Sequence, residues 1–186
     1  MTGITPEDAM TGRPAQDAMT GITAGGALIE LPEAADTKAF GRRLAGLLRA
    51  GDLVLLVGPL GAGKTALVQG IGAGLGVRGP VVSPTFVIAR VHSDGRLPLV
   101  HVDAYRLGSL AEVDDLDLDV SVADSVTVVE WGAGLVEQLA DARLEILLER
   151  KADTEIRTVR LRPVGGDWAS RLRALEAAGG AEPDSH

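Results

Sequence analysis

Along the chain, apolar positions switch repeatedly between a helical period and a strand period. "LIELP" has the length of a short strand. In "DTKAFGRRLAGLLRAG", Phe40, Leu44 and Leu47 recur on one face, which predicts a helix with Asp36 as its N-cap and Gly51 as its stop. "LVLLVG" (Leu53–Gly58) is a continuous apolar run, the pattern of a strand buried on both faces. A helix is predicted from Lys64 to Leu75. Its glycines at 70, 72 and 74 each cost about 1 kcal/mol relative to alanine, so it needs tertiary support or a ligand at its N-terminus. "TFVIARVH", the turn "SDGR" and "LPLVHVD" read as a hairpin, and Ser109 and Glu112 in "SLAE" have capping-box spacing for a short helix. "SVTVVEW" is another buried strand. "RLEILLE" and "IRTVRLR" alternate around "KADT" as an antiparallel pair, and "DWASRLRALEAA" closes as a helix with Trp168, Leu172 and Leu175 inward. Together these elements predict an α/β domain of three layers with a mixed sheet.

The ends carry no such period. Residues 1–26 repeat "MTG" at Met1, Met10 and Met19 and are expected to be a disordered tail, or a sign that translation starts at Met10 or Met19. Residues 179–186 are expected to be a second tail, which leaves a single domain over 27–178. Within 186 residues the hydrophobic fraction of 46% suffices for a core, and with aromatics at 3% the aliphatic residues and alanine must fill it. No apolar run approaches the roughly 20 residues of a membrane helix, and no secretory pattern opens the chain. The absence of cysteine excludes disulfides and thiolate metal sites. A cytoplasmic location is the simplest expectation, with no membrane partner. A net charge of -8, from 18 basic and 26 acidic residues, disfavours direct grip on DNA or another polyanion. The arginines of the C-terminal third read as an exposed, Arg-studded sheet face.

"GPLGAGKT" (Gly58–Thr65) fits the phosphate-loop pattern G-x-x-x-x-G-K-[ST], with a buried strand leading in and a helix leading out. Gly58, Gly61 and Gly63 permit backbone angles that side chains would forbid, so several N–H groups can point at one oxyanion, at the positive end of a helix. Lys64 supplies a full charge to the β- and γ-phosphates, and the Thr65 hydroxyl can ligate Mg²⁺. A P-loop NTPase-like domain binding a nucleoside triphosphate follows. The chain contains no asparagine, so the N-K-x-D guanine reader of ordinary GTPases is absent.

Two apolar runs end in acids, "LVHVD" in Asp103 and "VTVVE" in Glu130, and periodicity alone makes them equivalent candidates to manage the metal. Period-two spacing sets His101, Asp103 and Tyr105 on one side of a strand, a polar cluster that neither a solvent face nor a core face explains. "VSPTF" adds the hydroxyls of Ser83 and Thr85, with Pro84 keeping Ser83 out of helical geometry.

In order and approximate spacing, "GPLGAGKT", "SPTF", "HVDAYRL" and "VEW" resemble the TsaE (YjeE) family, over about Leu31 to Arg162. The resemblance implies an ATP–Mg²⁺ site, weak intrinsic ATPase activity, and work beside TsaD and TsaB in forming threonylcarbamoyladenosine in tRNA, with tRNA reached through that complex. It implies that Leu60, Gly61, Ala62, Gly63, Lys64 and Thr65 hold the phosphates, that Thr65 and Glu130 flank Mg²⁺, and that Asp103 lies beside the γ-phosphate. Asp103 is then the candidate to orient the attacking water, and Lys64 is the second catalytic candidate through its charge on the phosphates. Ser83, Thr85 and Trp131 fall on motifs around the site, and the adenine side begins near Pro32 to Thr37. The chain departs from the pattern at Pro59, where members often carry Asp, at Ala66, where a second Thr is common, and in the acidic "VDDLDLDV". Two other readings of the phosphate loop stay open from the residues alone: a small-molecule kinase in which Asp103 activates an acceptor hydroxyl, and a nucleotide-sensing adaptor.

Overall fold

The computed structural model describes residues 28–84, 88–106, 123–134, 137 and 140–179. Seven strands form one mixed sheet: β1 (Leu28–Leu31), β2 (Leu53–Val57), β3 (Ala89–His92), β4 (Leu99–Asp103), β5 (Val126–Glu130), β6 (Arg143–Arg150) and β7 (Arg157–Val164). Their spatial order is β1-β7-β6-β2-β5-β4-β3. β2 lies parallel to both β5 and β6, and β4 parallel to β5, while β1–β7, β6–β7 and β3–β4 are antiparallel. Among the described residues three helices accompany the sheet: α1 (Ala34–Ala45), α2 (Lys64–Leu75) and α3 (Trp168–Gly179). The expected α/β, P-loop NTPase-like domain with a mixed sheet is the one observed.

Alternation along the strands divides the core into two clusters. Val54 and Leu56 of β2 join Val126, Val128, Phe40, Leu44, Leu67, Ile71 and Trp168 on the face under the helices. Leu53, Leu55 and Val57 join Val100, Val102 and Val129 on the other face, with Ile88, Ala89, Ala133 and Ala140 packed against them. All five residues of β2 are buried, as its unbroken apolar run predicts.

Gly70 and Gly74 of α2 find their support in α1, while Gly72 faces the Val81 and Leu99 side chains. A Cβ at Gly70 would lie 2.2 Å from the Lys38 carbonyl oxygen, and one at Gly41 would lie 2.5 Å from that of Leu67. The helices touch backbone to backbone, so dispersion attraction along the closely packed pair offsets the propensity lost at glycine. At the far end Arg171 of α3 donates to Asp52 at 3.1 and 2.7 Å, tying the last helix to the segment entering β2.

Several local expectations shift. The cap of α1 is Glu33, not Asp36. Asp36 sits one turn inside and its carboxylate accepts the Glu33 amide at 2.8 Å, because an acid three residues past the cap can reach back to it. The helix stops at Ala45, before Gly51, and the two leucines beyond it lie in turns, with Leu48 buried and Leu47 half-buried. Of the predicted strand "TFVIARVH", Ala89–His92 is strand and Ile88 is left-handed at φ +64, while residues 85–87 lie outside the described residues. The strand carrying "HVDAY" ends at Asp103. Tyr105 therefore belongs to a 3₁₀ turn (Ala104–Arg106) and is 71% exposed, off the face that His101 and Asp103 share. Arg157, expected on an exposed sheet face, is buried. Gly179, expected to begin the C-terminal tail, is instead the last residue of α3. The predicted helix at Ser109–Glu112, the Leu175 side chain, residues 1–26 and residues 180–186 lie outside the described residues.

Candidate nucleotide and metal site

The parallel register brings the carboxyl ends of three neighbouring strands to one edge of the sheet. Leu56 is the register partner of Glu130, and Glu130 that of Asp103. The phosphate loop follows directly from β2, so both acids stand beside it. Ligands in open α/β sheets collect at this edge because loops and helix N-termini converge there.

The loop itself has the geometry its glycines allow. Gly63 is left-handed at φ +105 and caps α2, and a Cβ there would lie 3.2 Å from the Arg157 Cδ and Nε and 3.6 Å from the Thr37 Cγ2. Leu60 is 91% exposed, so its side chain points away and only its backbone can serve a phosphate. Lys64 is buried and folded back: Nζ donates to the carbonyls of Gly58 at 2.7 Å and Pro59 at 2.9 Å, and stands 3.8 Å from the centre of the Trp131 ring. Burial lowers the Lys64 pKa from its ordinary value, and the carboxylates of Glu130 and Asp103 oppose that shift. Trp131 reaches the lysine from a backbone at φ +62, a strained conformation for so bulky a residue. The Tyr105 ring meets it edge-on at 5.3 Å.

The two acids have different partners. Glu130 is buried and accepts the Thr65 hydroxyl at 3.2 Å through Oε1, which also lies 2.8 Å from His101 Nε2. Asp103 accepts the Ser83 hydroxyl at 3.1 Å and the Tyr105 amide at 3.1 Å. Hard oxygens of Thr65 and Glu130 suit Mg²⁺. Among the described residues no three acidic or histidine side chains converge as a metal cage. Such an ion would therefore take most of its shell from phosphate and water, as nucleotide-bound Mg²⁺ does.

A family model described as "Threonylcarbamoyl adenosine biosynthesis protein TsaE" matches residues 31–159. The chain belongs to the TsaE family. The "tRNA threonylcarbamoyladenosine biosynthesis protein TsaE" of Streptomyces coelicolor is 61% identical over 140 residues, covering 72% of this chain and 94% of that protein. The protein of the same name from Mycobacterium tuberculosis is 49% identical over 145 residues, 72% and 86% of the two chains. Among solved structures, YdiB of Bacillus subtilis superposes with a TM-score of 0.69 at 30% identity, over 85% of this chain and 100% of that one. The TsaE family serves the biosynthesis of threonylcarbamoyladenosine in tRNA.

Of the TsaE-like residues expected from sequence, the fold brings together Leu60 to Thr65, Ser83, Asp103, Glu130 and Trp131, with Thr37 buried behind Gly63. Thr85 lies outside the described residues. Sequence reasoning missed Arg157. Its Nε and the Thr37 Oγ1 are buried without a hydrogen-bond partner among the described residues, although the guanidinium also donates to the Glu155 carbonyl at 2.7 Å. Unpaired polar groups flanking a phosphate-loop glycine are unmet donors that a nucleotide could satisfy. Strand alternation in "IRTVRLR" offered no sign of this, because β7 reaches the loop only through its place beside β6.

Proposed function

We propose that the chain is an ATPase that binds ATP with Mg²⁺, hydrolyses it slowly, and through that cycle supports TsaD and TsaB in forming threonylcarbamoyladenosine in tRNA. The observation that carries this reading is the Thr65–Glu130 pair beside a complete phosphate loop in a TsaE-family chain. Lys64 gives up the Gly58 and Pro59 carbonyls and the Trp131 ring to meet the β- and γ-phosphates, while the amides of Leu60 to Gly63 and the N-terminus of α2 hold the oxyanion. Thr65 and Glu130 would hold Mg²⁺, which would supply positive charge to offset that of the phosphates. Thr65 donates its proton to Glu130, so its own lone pairs remain for the ion.

Asp103 orients the attacking water. Ser83 and the Tyr105 amide fix its carboxylate while leaving acceptor capacity on both oxygens. Because Tyr105 packs on Trp131, and Trp131 on Lys64, arrival of a phosphate at the lysine is transmitted to the turn after β4, a surface that docks on the partner proteins when ATP is bound. Among the described residues no helix is long and apolar enough to cross a membrane. The proposed location is the cytoplasm, where tRNA is modified.

Reconstituted tRNA modification with TsaD and TsaB, with and without the chain, tests this reading. Multiple turnover that needs the chain and ATP, with phosphate release stimulated by the two proteins, is the expected result. Stimulation by a small-molecule acceptor instead would mark a kinase.

A further inference from the structure

His101 is fully buried on β4, on the face that also carries Leu99, beneath α2. Core packing does not explain an imidazole there, since an aliphatic side chain would fill the same place without burying nitrogen. Its one hydrogen-bonded nitrogen is Nε2, 2.8 Å from Glu130 Oε1, and Nδ1 has no partner among the described residues. A carboxylate only accepts, so Nε2 is the donor of that bond.

The same Oε1 accepts the Thr65 hydroxyl at 3.2 Å, whereas Oε2 lies farther from that hydroxyl, at 3.5 Å. We infer that His101 is a positioning residue for Glu130: it pins Oε1 from the core side and thereby presents Oε2 to the metal. The imidazole is no metal ligand itself, because Nε2 is committed to the carboxylate and Mg²⁺ prefers oxygen. Its role parallels that of the outer partners that orient ligating side chains in metal sites generally. It rests on the proposed ATP–Mg²⁺ reading of the site.

The test compares the wild-type chain with His101→Leu and His101→Gln, whose amide can still donate to Oε1. Mn²⁺ binding in the presence of a non-hydrolysable ATP analogue is read by the electron paramagnetic resonance signal of the free ion. Binding of the analogue alone is measured in EDTA. The expected result for His101→Leu is metal affinity weakened by about 10–100-fold, the range for losing an outer partner, with analogue binding in EDTA unchanged. His101→Gln recovers most of the loss. Where the Leu variant does not fold, His101→Asn, too short to reach Oε1, replaces it. Equal metal affinity in a folded variant, or parallel loss of analogue binding in EDTA, would overturn the inference while leaving the site reading intact. A wild-type chain that binds the analogue but no Mn²⁺ would remove the metal reading and this inference with it.

Discussion

Replacing Gly70 with alanine sets two effects of opposite sign against each other. Helix propensity favours the substitution by about 1 kcal/mol, because alanine loses less backbone freedom in α2. Packing opposes it. The new Cβ would lie 2.2 Å from the Lys38 carbonyl oxygen and 2.9 Å from its carbon and Cα, all backbone atoms of α1 that no rotamer change can move. Relief requires the two helices to separate locally, which strains a closely packed pair. Overpacking of this kind costs about 3 kcal/mol, at the upper end of its usual range, since the obstacle is backbone. The net is a destabilisation of about 2 kcal/mol. For a domain of this size the melting temperature should fall by about 4–8 °C. The assay is thermal unfolding followed by circular dichroism, supported by urea denaturation. Because α1 carries Thr37 and α2 begins with Lys64 and Thr65, weaker ATP binding should accompany the loss. A Gly70→Ala protein as stable as wild type, or more stable, would refute the close approach of the helices.

Four further outcomes are expected at the site. Asp103→Ala should retain ATP affinity within a few-fold and lower phosphate release by about 10²–10⁴, measured in single turnover with partners present; wild-type turnover would remove Asp103 from catalysis. Lys64 grips phosphate while protonated and burial lowers its pKa, so ATP affinity should fall on the alkaline side at a pH below the ordinary lysine value of 10.5, and calorimetric titrations flat up to that pH would contradict it. Arg157→Ala should weaken ATP binding by about 10–100-fold, the equivalent of one charged hydrogen bond, with Arg157→Lys a poor rescue; unchanged affinity would make Arg157 purely structural. Displacement of Lys64 from the Trp131 ring should change tryptophan emission on ATP binding, and Trp131→Phe should abolish that change, because Trp168, the other tryptophan, is buried in the core.

The phosphate loop and the strands on either side of it were legible because their signals are local. "GPLGAGKT" needs a strand before it and a helix after it, and β2 and α2 occupy those places. The strand pair around "KADT" was legible for the same reason: alternation and a short turn specify it without reference to the rest of the chain. Helix ends were less legible. Asp36 satisfies the composition of a cap, yet Glu33 takes the position and Asp36 answers it from the third helical residue, so both placements fit the same residues.

The order of apolar and polar residues by itself determined the α/β class, the phosphate loop and the two acid-ended strands, because periodicity and glycine spacing act over a few residues. It could not distinguish Asp103 from Glu130. Both end apolar runs, and the two are register partners on adjacent strands. Only the tertiary structure separated their surroundings. Glu130 faces Thr65 and a buried imidazole, while Asp103 faces Ser83 and a backbone amide. The same long-range packing brought Arg157 from β7 to Gly63 and Trp131 over Lys64. These contacts join residues 67 to 94 positions apart in the chain, and no local pattern encodes which strands become neighbours.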